Sequence, residues 1–312
     1  MLSRRNVRVK VLQTLYAKNR DESMSSKETL KMYNDKIDES FDLLLFSLYS
    51  VLNIAKVAVE DNLKRKSKHL PTEIDKIFEP KLWENIMVQS LFKNHEIIKE
   101  FDKKSFAQKV DKDQLNKIYY DFSKDEVYIN FISNPQSTDE EVLEILLELF
   151  RFCRKNELFI EIIEDGFPNW EDDKSLIIGT IKKILKAQPD DSGSFIEQYY
   201  PDNGTIKDYG LVLLEKTLND DTQLMSIIEP VLDNWDSDRV AVVDMIIIKM
   251  AISEFVYCPS IPTKVTINEY VELSKTYSTS KSKEFVNGVL DKILKDMESK
   301  DLIKKEGRGL LD

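Results

Sequence analysis

The chain has 312 residues, 42% of them apolar, and its 45 Lys and Arg against 56 Asp and Glu give a formal charge of -11. That apolar share suits a soluble globular protein with one large core or two modest ones, and two domains are the starting expectation. Eight Gly and nine Pro are too few for the many tight turns of an all-β fold, so composition points to helices, and the acidic total argues against a general nucleic-acid binder.

The charge is unevenly spread. Residues 1–20 hold six basic residues, Arg4, Arg5, Arg8, Lys10, Lys18 and Arg20, and no acidic one, whereas residues 21–207 carry 26 basic and 37 acidic residues and residues 208–312 carry 13 and 19. A short basic element on an acidic body binds an anion locally while the rest of the surface discourages indiscriminate binding. Periodicity makes this element a helix. Ser3 is the expected N-cap, and Val7, Leu12, Val11 and Leu15 form one buried stripe. Arg4 and Arg8 are four apart and Arg5 and Arg8 three apart, so the three guanidinium groups are expected to cluster on an exposed face over the first two turns. Cations there oppose the helix dipole, typically by a few tenths of ~1 kcal/mol each, and a negatively charged ligand removes that conflict. A solvated basic face is the plainer alternative. Tyr16 is available for stacking.

Next, Asp38 to Lys66 places Phe41, Leu44, Leu45, Leu48, Leu52 and Ala55 at helical spacing and predicts a helix with a wide buried face. Shorter amphipathic stretches follow over Leu82 to His95, Phe106 to Tyr120 and Glu140 to Phe152, the last opened by a capping box of Thr138 and Glu141. The phrase Asn169-Trp170-Glu171-Asp172-Asp173 returns as Asn234-Trp235-Asp236-Ser237-Asp238, and both read as helix starts, the second with Asp236 as N-cap and Trp235 stapled onto Val240. Loops at Pro189 to Gly193 and Pro201 to Gly204 put the preferred domain boundary near 205.

No apolar run reaches the roughly 18 to 20 residues that cross a bilayer, the longest candidates lying around Leu43 to Leu48 and Val240 to Ile248. Met1-Leu2-Ser3-Arg4-Arg5 lacks the apolar stretch of a secretory signal, so a cytoplasmic location without membrane partners is expected. Cys153 and Cys258 are far apart with no metal-type spacing and read as free thiols. Phosphate-loop, nucleophile-elbow and H-E-x-x-H motifs are missing. His69 and His95 have no Cys near them, and the pairs Asp172/Asp173 and Asp220/Asp221 are adjacent and suit loop or cap roles. The expectation is a protein that is not an enzyme, with no catalytic residues, metal or cofactor.

Two phrases near the end carry a resemblance: Ile267-Asn268-Glu269-Tyr270-Val271-Glu272-Leu273, then Phe285-Val286-Asn287-Gly288-Val289-Leu290-Asp291-Lys292. Upstream and in the same order stand Tyr209-Gly210-Leu211-Val212-Leu213-Leu214, Ile227-Ile228-Glu229-Pro230-Val231-Leu232, Trp235 and Arg239, and the run from Asp244 to Glu254-Phe255. Together with Arg4-Arg5-Asn6-Val7-Arg8 and Leu12-Gln13-Thr14-Leu15-Tyr16, this series resembles the NusB family of transcription antitermination factors. The resemblance implies an all-α, NusB-like fold of two packed helical bundles with an extended N-terminal helical region, divided here as 1–205 and 206–312. It further implies binding of the single-stranded boxA element of ribosomal RNA leader transcripts together with the ribosomal protein NusE. The assembly would then be carried on the RNA polymerase elongation complex with other Nus factors. By position, Arg4, Arg5, Arg8, Tyr16, Phe285 and Asn287 would serve the RNA, and Asp244 would lie at the RNA and partner surface.

Physically, Phe285, Val286, Val289, Leu290, Ile293 and Leu294 give the last helix its apolar face, Gly288 is expected to let another backbone approach, and Asn268 and Glu269 to fix the Pro262 turn. Phe285 and Asn287 are the expected exposed exceptions. The chain departs from the family in the roughly 150 residues between its first helix and the C-terminal block, and in Lys281, which stands where some members are acidic. A NusB-like domain also precedes RNA cytosine methyltransferases, but no Gly-rich cofactor-binding segment is present. A helical interaction scaffold and a ribosome-assembly role remain as alternatives.

Overall fold

The structure, a computed structural model, describes residues 1–190, 193–232 and 240–310, and among these there is no strand. The chain, with sixteen α-helices among the described residues, divides into two compact units, one built from Asp38–Tyr200 together with Met1, the other from Leu2–Ile37 together with Pro201–Asp312. The first helix is grouped with the C-terminal residues. Its stripe of Val7, Val11 and Leu15 is buried against helices of that unit.

In the larger insertion unit the central element is α2 (Ser26–Lys66), whose residues from Asp38 onward belong here. It begins twelve residues before the predicted Asp38. Among the described residues it is also the one helix long and apolar enough by length and composition to cross a membrane, which corrects the expectation that no such stretch exists. Its most apolar 18-residue window is 72% buried inside the protein. Apolar side chains surround it because short helices pack on it from several sides: Phe41, Leu44, Leu45, Leu48, Leu52 and Ala55 join one core with residues of the helices that follow. Those are α4 (Ile86–Lys93), α5 (His95–Lys103), α6 (Lys112–Phe122), α7 (Glu126–Ser133), α8 (Asp139–Cys153), α9 (Glu157–Gly166), α10 (Trp170–Lys186) and α11 (Phe195–Tyr199), whereas the short α3 (Glu73–Ile77) adds no apolar residue to that core. The capping box at Thr138 and Glu141 opens α8 as expected, with Thr138 N–H donating to Glu141 at 2.8 Å. Trp170 opens α10 and is buried, while Asp173 accepts a hydrogen bond from Ser40 Oγ at 2.8 Å, a buried structural role in place of a loop or cap. The second copy of that phrase, with Asp236 and Trp235, lies outside the described residues.

The other unit is arranged around α14 (Val242–Tyr257). Ile246, Ile247, Ile248, Met250, Ala251, Ile252 and Phe255 are buried all round it, the pattern of a helix enclosed by others. Against it pack α1 (Arg4–Arg20), α12 (Val212–Asn219), α13 (Asp221–Ile228), α15 (Thr263–Tyr277) and α16 (Ser282–Ser299). A π-helical stretch, Gly204–Leu211, leads into α12 and packs on α1. Its Gly210 is where a close approach is needed, since a Cβ there would stand 1.9 Å from Tyr33 Oη and 2.6 Å from Val7 Cγ1. Tyr33 uses that position to donate to Ile206 O at 3.0 Å. Gly288 does not have the expected role: it is exposed, and nothing lies within 4 Å of where its Cβ would be.

Candidate nucleic-acid interface

Helix α1 starts as its sequence predicts, with Ser3 and Asn6 forming a reciprocal cap. From this start Arg4 and Arg5 project into solvent, but Arg8 does not. Only 3% of Arg8 is exposed, and its guanidinium makes a two-pronged ion pair with the fully buried Glu254 of α14, Nε to Oε2 at 2.8 Å and Nη2 to Oε1 at 2.7 Å. A third arm reaches Glu269 of α15 at 3.4 Å. This corrects the expectation of three exposed arginines: three- and four-residue spacing puts them on neighbouring rows, but the row holding Arg8 turns towards the partner that a buried carboxylate requires.

Glu254 is the hub of the unit. Besides Arg8 it accepts hydrogen bonds from Tyr209 Oη at 2.6 Å, Tyr270 Oη at 3.1 Å and Thr266 Oγ1 at 2.8 Å. Burial alone would raise its pKa, yet the hydrogen bonds and charge of Arg8, with Tyr209 and Thr266, hold it below the usual carboxylate range. Burial likewise works against the charge of Arg8 and is outweighed by Glu254, so the guanidinium titrates above its ordinary value. Burial, then the Glu254 charge, keep Tyr209 and Tyr270 protonated. The rings of Tyr209 and Tyr270 flank Arg8 at 5.5 and 5.6 Å, and Arg4 stands 5.6 Å from the Tyr209 centroid. The network therefore locks α1 to α14, α15 and the π-helical stretch, and fixes the direction in which Arg4 and Arg5 leave the helix. Sequence reasoning placed Glu254, Tyr209 and Tyr270 in motifs without seeing that they converge; their signal was the pairing of a Glu inside the most apolar run with aromatic hydroxyls in separate phrases.

Beside this lock lies a hollow of about 400 Å³, lined by Ser3, Arg4, Arg5, Arg8, Ser260, Ile261, Pro262, Val265, Glu269 and Arg308. Arg4, Arg5 and Arg308 are exposed and make no ion pair among the described residues. Glu269 turns to Arg8 rather than to the Pro262 turn, which is held by the Thr266 N–H donating to Pro262 O at 3.1 Å. The hollow can take a phosphate at its basic rim and an apolar or planar group on Ile261, Pro262 and Val265.

The remaining candidates do not line this hollow. Tyr16 is 43% exposed, further along α1. Asn287 is exposed on α16 and Phe285 is half-buried there, less open than expected. Asp244 is 4% exposed in the first turn of α14, accepting from Ser282 Oγ at 2.6 Å, and its Oδ1 has no hydrogen-bond partner among the described residues. It ties the starts of α14 and α16 together from inside, a correction to its expected place at a surface. Among the described residues no group of His, Cys, Asp and Glu is arranged to hold a metal ion, and both cysteines are free and buried.

Comparison with known proteins matches residues 174–295 to the NusB family. The match begins within α10, earlier than the Tyr209 from which the phrases were legible. A transcription antitermination protein NusB from Chloroherpeton thalassium is 46% identical over 80 residues, 26% of this chain and 38% of that protein. Its namesake from Salinibacter ruber is 37% identical over 107 residues, 34% of this chain and 67% of that protein. A third, from Clostridium kluyveri, is 36% identical over 130 residues, 40% of this chain and 83% of that protein. No solved structure matches the chain.

Proposed function

This chain belongs to the NusB family, and from that premise we propose that it is a cytoplasmic RNA-binding factor of transcription antitermination. Its ligand is the single-stranded boxA element of ribosomal RNA leader transcripts, bound together with NusE and carried on the RNA polymerase elongation complex with other Nus factors. The observation that carries this reading is local: in a chain of net charge -11, Arg4, Arg5 and Arg308, which make no ion pair among the described residues, line one hollow at the start of α1.

Flexible single-stranded RNA is recognised by fixing phosphates, stacking bases and reading their edges. Arg4 and Arg5 fix the phosphates, Tyr16 and Phe285 offer rings for stacking, and Asn287 offers an amide to a base edge. Arg8 acts as a positioning residue, because its guanidinium is committed to Glu254. The acidic remainder of the protein keeps binding by this chain alone weak, and NusE supplies further basic surface. The reaction is assembly, with no bond made or broken.

The test is binding of labelled boxA RNA to the full chain and to an Arg4→Ala/Arg5→Ala variant across a salt series. Each lost phosphate contact makes the slope of log affinity against log salt shallower by about 0.7 for a single strand. An unchanged affinity and slope, with helicity intact, removes the start of α1 from the RNA site.

A further inference from the structure

The family match ends at residue 295, but the protein continues past α16 into a strap over residues 302–310 that is fixed in place. The Glu306 N–H donates to Pro259 O at 3.0 Å, and Lys305 Nζ donates to Cys258 O at 3.1 Å, a carbonyl that also accepts from the Ile261 N–H at 3.1 Å. Gly307 takes a left-handed φ of +57°, and Gly309 is pressed so close to the α14–α15 corner that a Cβ would stand 2.0 Å from Pro259 O. Between these two glycines, Arg308 is held at the rim of the hollow that Arg4 and Arg5 line.

We propose that Arg308 is a phosphate-binding residue for single-stranded RNA, presented by this strap so that one backbone phosphate is held between α1 and the strap while its nucleoside lies on Ile261, Pro262 and Val265. The inference rests on the RNA-binding reading above and adds a site element from outside the family-matched region. Three guanidinium groups without carboxylate partners among the described residues repel one another across the hollow, and an anion removes that cost. The apolar floor, with Val265 exposed, favours an anion that carries a ring over a free phosphate.

The experiment measures labelled boxA RNA binding to the full chain across a salt series, with Arg308→Ala, Arg308→Lys, Gly309→Ala and Arg4→Ala/Arg5→Ala compared against the unaltered protein. Arg308→Ala is expected to weaken binding about fivefold and to make the salt slope shallower by about 0.7, while Arg308→Lys keeps the slope. Gly309→Ala lifts the strap and is expected to match Arg308→Ala, with no further loss when the two are combined. Because Arg308 is exposed, its replacement leaves helicity unchanged. If Arg308→Ala binds like the unaltered protein while Arg4→Ala/Arg5→Ala weakens binding, the strap has no part in the site and the RNA-binding reading stands. Loss in Arg308→Ala without loss in Gly309→Ala overturns the presentation by the strap. If the unaltered protein binds no RNA with or without NusE, both the reading and the inference fall.

Discussion

Replacing Arg8 by Met probes the lock beneath the candidate interface, because Met fills much of the volume of the arginine stem and removes only the charge and its hydrogen bonds. Glu254 then remains fully buried beside Tyr209, Tyr270 and Thr266 with no cation facing it directly. Breaking one side of a buried ion pair costs about 3–5 kcal/mol, so amide exchange in α1, α14 and α15 should accelerate about a hundredfold or more in the variant. The pH dependence supplies the sign. In the unaltered protein Glu254 titrates below the usual range, so its contribution is present above the unfolded carboxylate pKa of about 4.3 and is lost as pH falls through the lower folded value. Without Arg8 burial dominates, the folded pKa of Glu254 rises above the unfolded one, and protonation on acidification restores stability. The deficit of Arg8→Met therefore narrows between pH 7 and pH 5 once intrinsic exchange rates are divided out. Adding Glu254→Gln should recover most of the loss, since the amide oxygen still accepts from the hydroxyl groups. A deficit under about 1 kcal/mol, or one that widens on acidification, refutes the reasoning.

Gly210→Ala drives a methyl group into Tyr33 Oη, and overpacking of this kind costs about 1–3 kcal/mol; thermal unfolding followed by circular dichroism checks it, and an unchanged midpoint would show that the π-helical stretch yields freely. Burial pushes the thiol of Cys258 up to about 12 and that of Cys153 higher still, so a thiol reagent should modify neither in the folded protein and both on unfolding. Hydrogen exchange should find α2 from residue 38 onward and α8 protected without RNA, and unchanged when boxA RNA and NusE are added. Rapid exchange throughout would contradict a packed insertion unit, and fresh protection on RNA alone would reveal a second binding surface there.

What was legible in the sequence is what short-range spacing encodes. The stripe of Val7, Val11 and Leu15, the cap at Ser3 and the capping box at Thr138 and Glu141 all stand where periodicity and side-chain chemistry place them. Long-range partners left weaker traces. Helical spacing predicts that Arg4, Arg5 and Arg8 lie near one another, but not that Glu254, 246 residues later, turns Arg8 inward. The family resemblance puts Asp244 at a surface, and nothing near it in sequence shows that Ser282 closes over it. Gly288 stands in a phrase that resembles the family yet has open space around it, while Gly210 needs its missing Cβ because Tyr33 arrives from a distant helix. Nothing near Arg308 in sequence marks the hydrogen bonds to Pro259 and Cys258 that fix its segment.

The most direct measurement is the affinity of the full chain for labelled boxA RNA alone and in the presence of NusE. Coupling through a shared assembly predicts at least about tenfold tighter RNA binding with NusE, equivalent to about 1.4 kcal/mol, and an equal tightening of the NusE complex by RNA. The same RNA affinity with and without NusE would contradict the account and leave this chain as a helical scaffold.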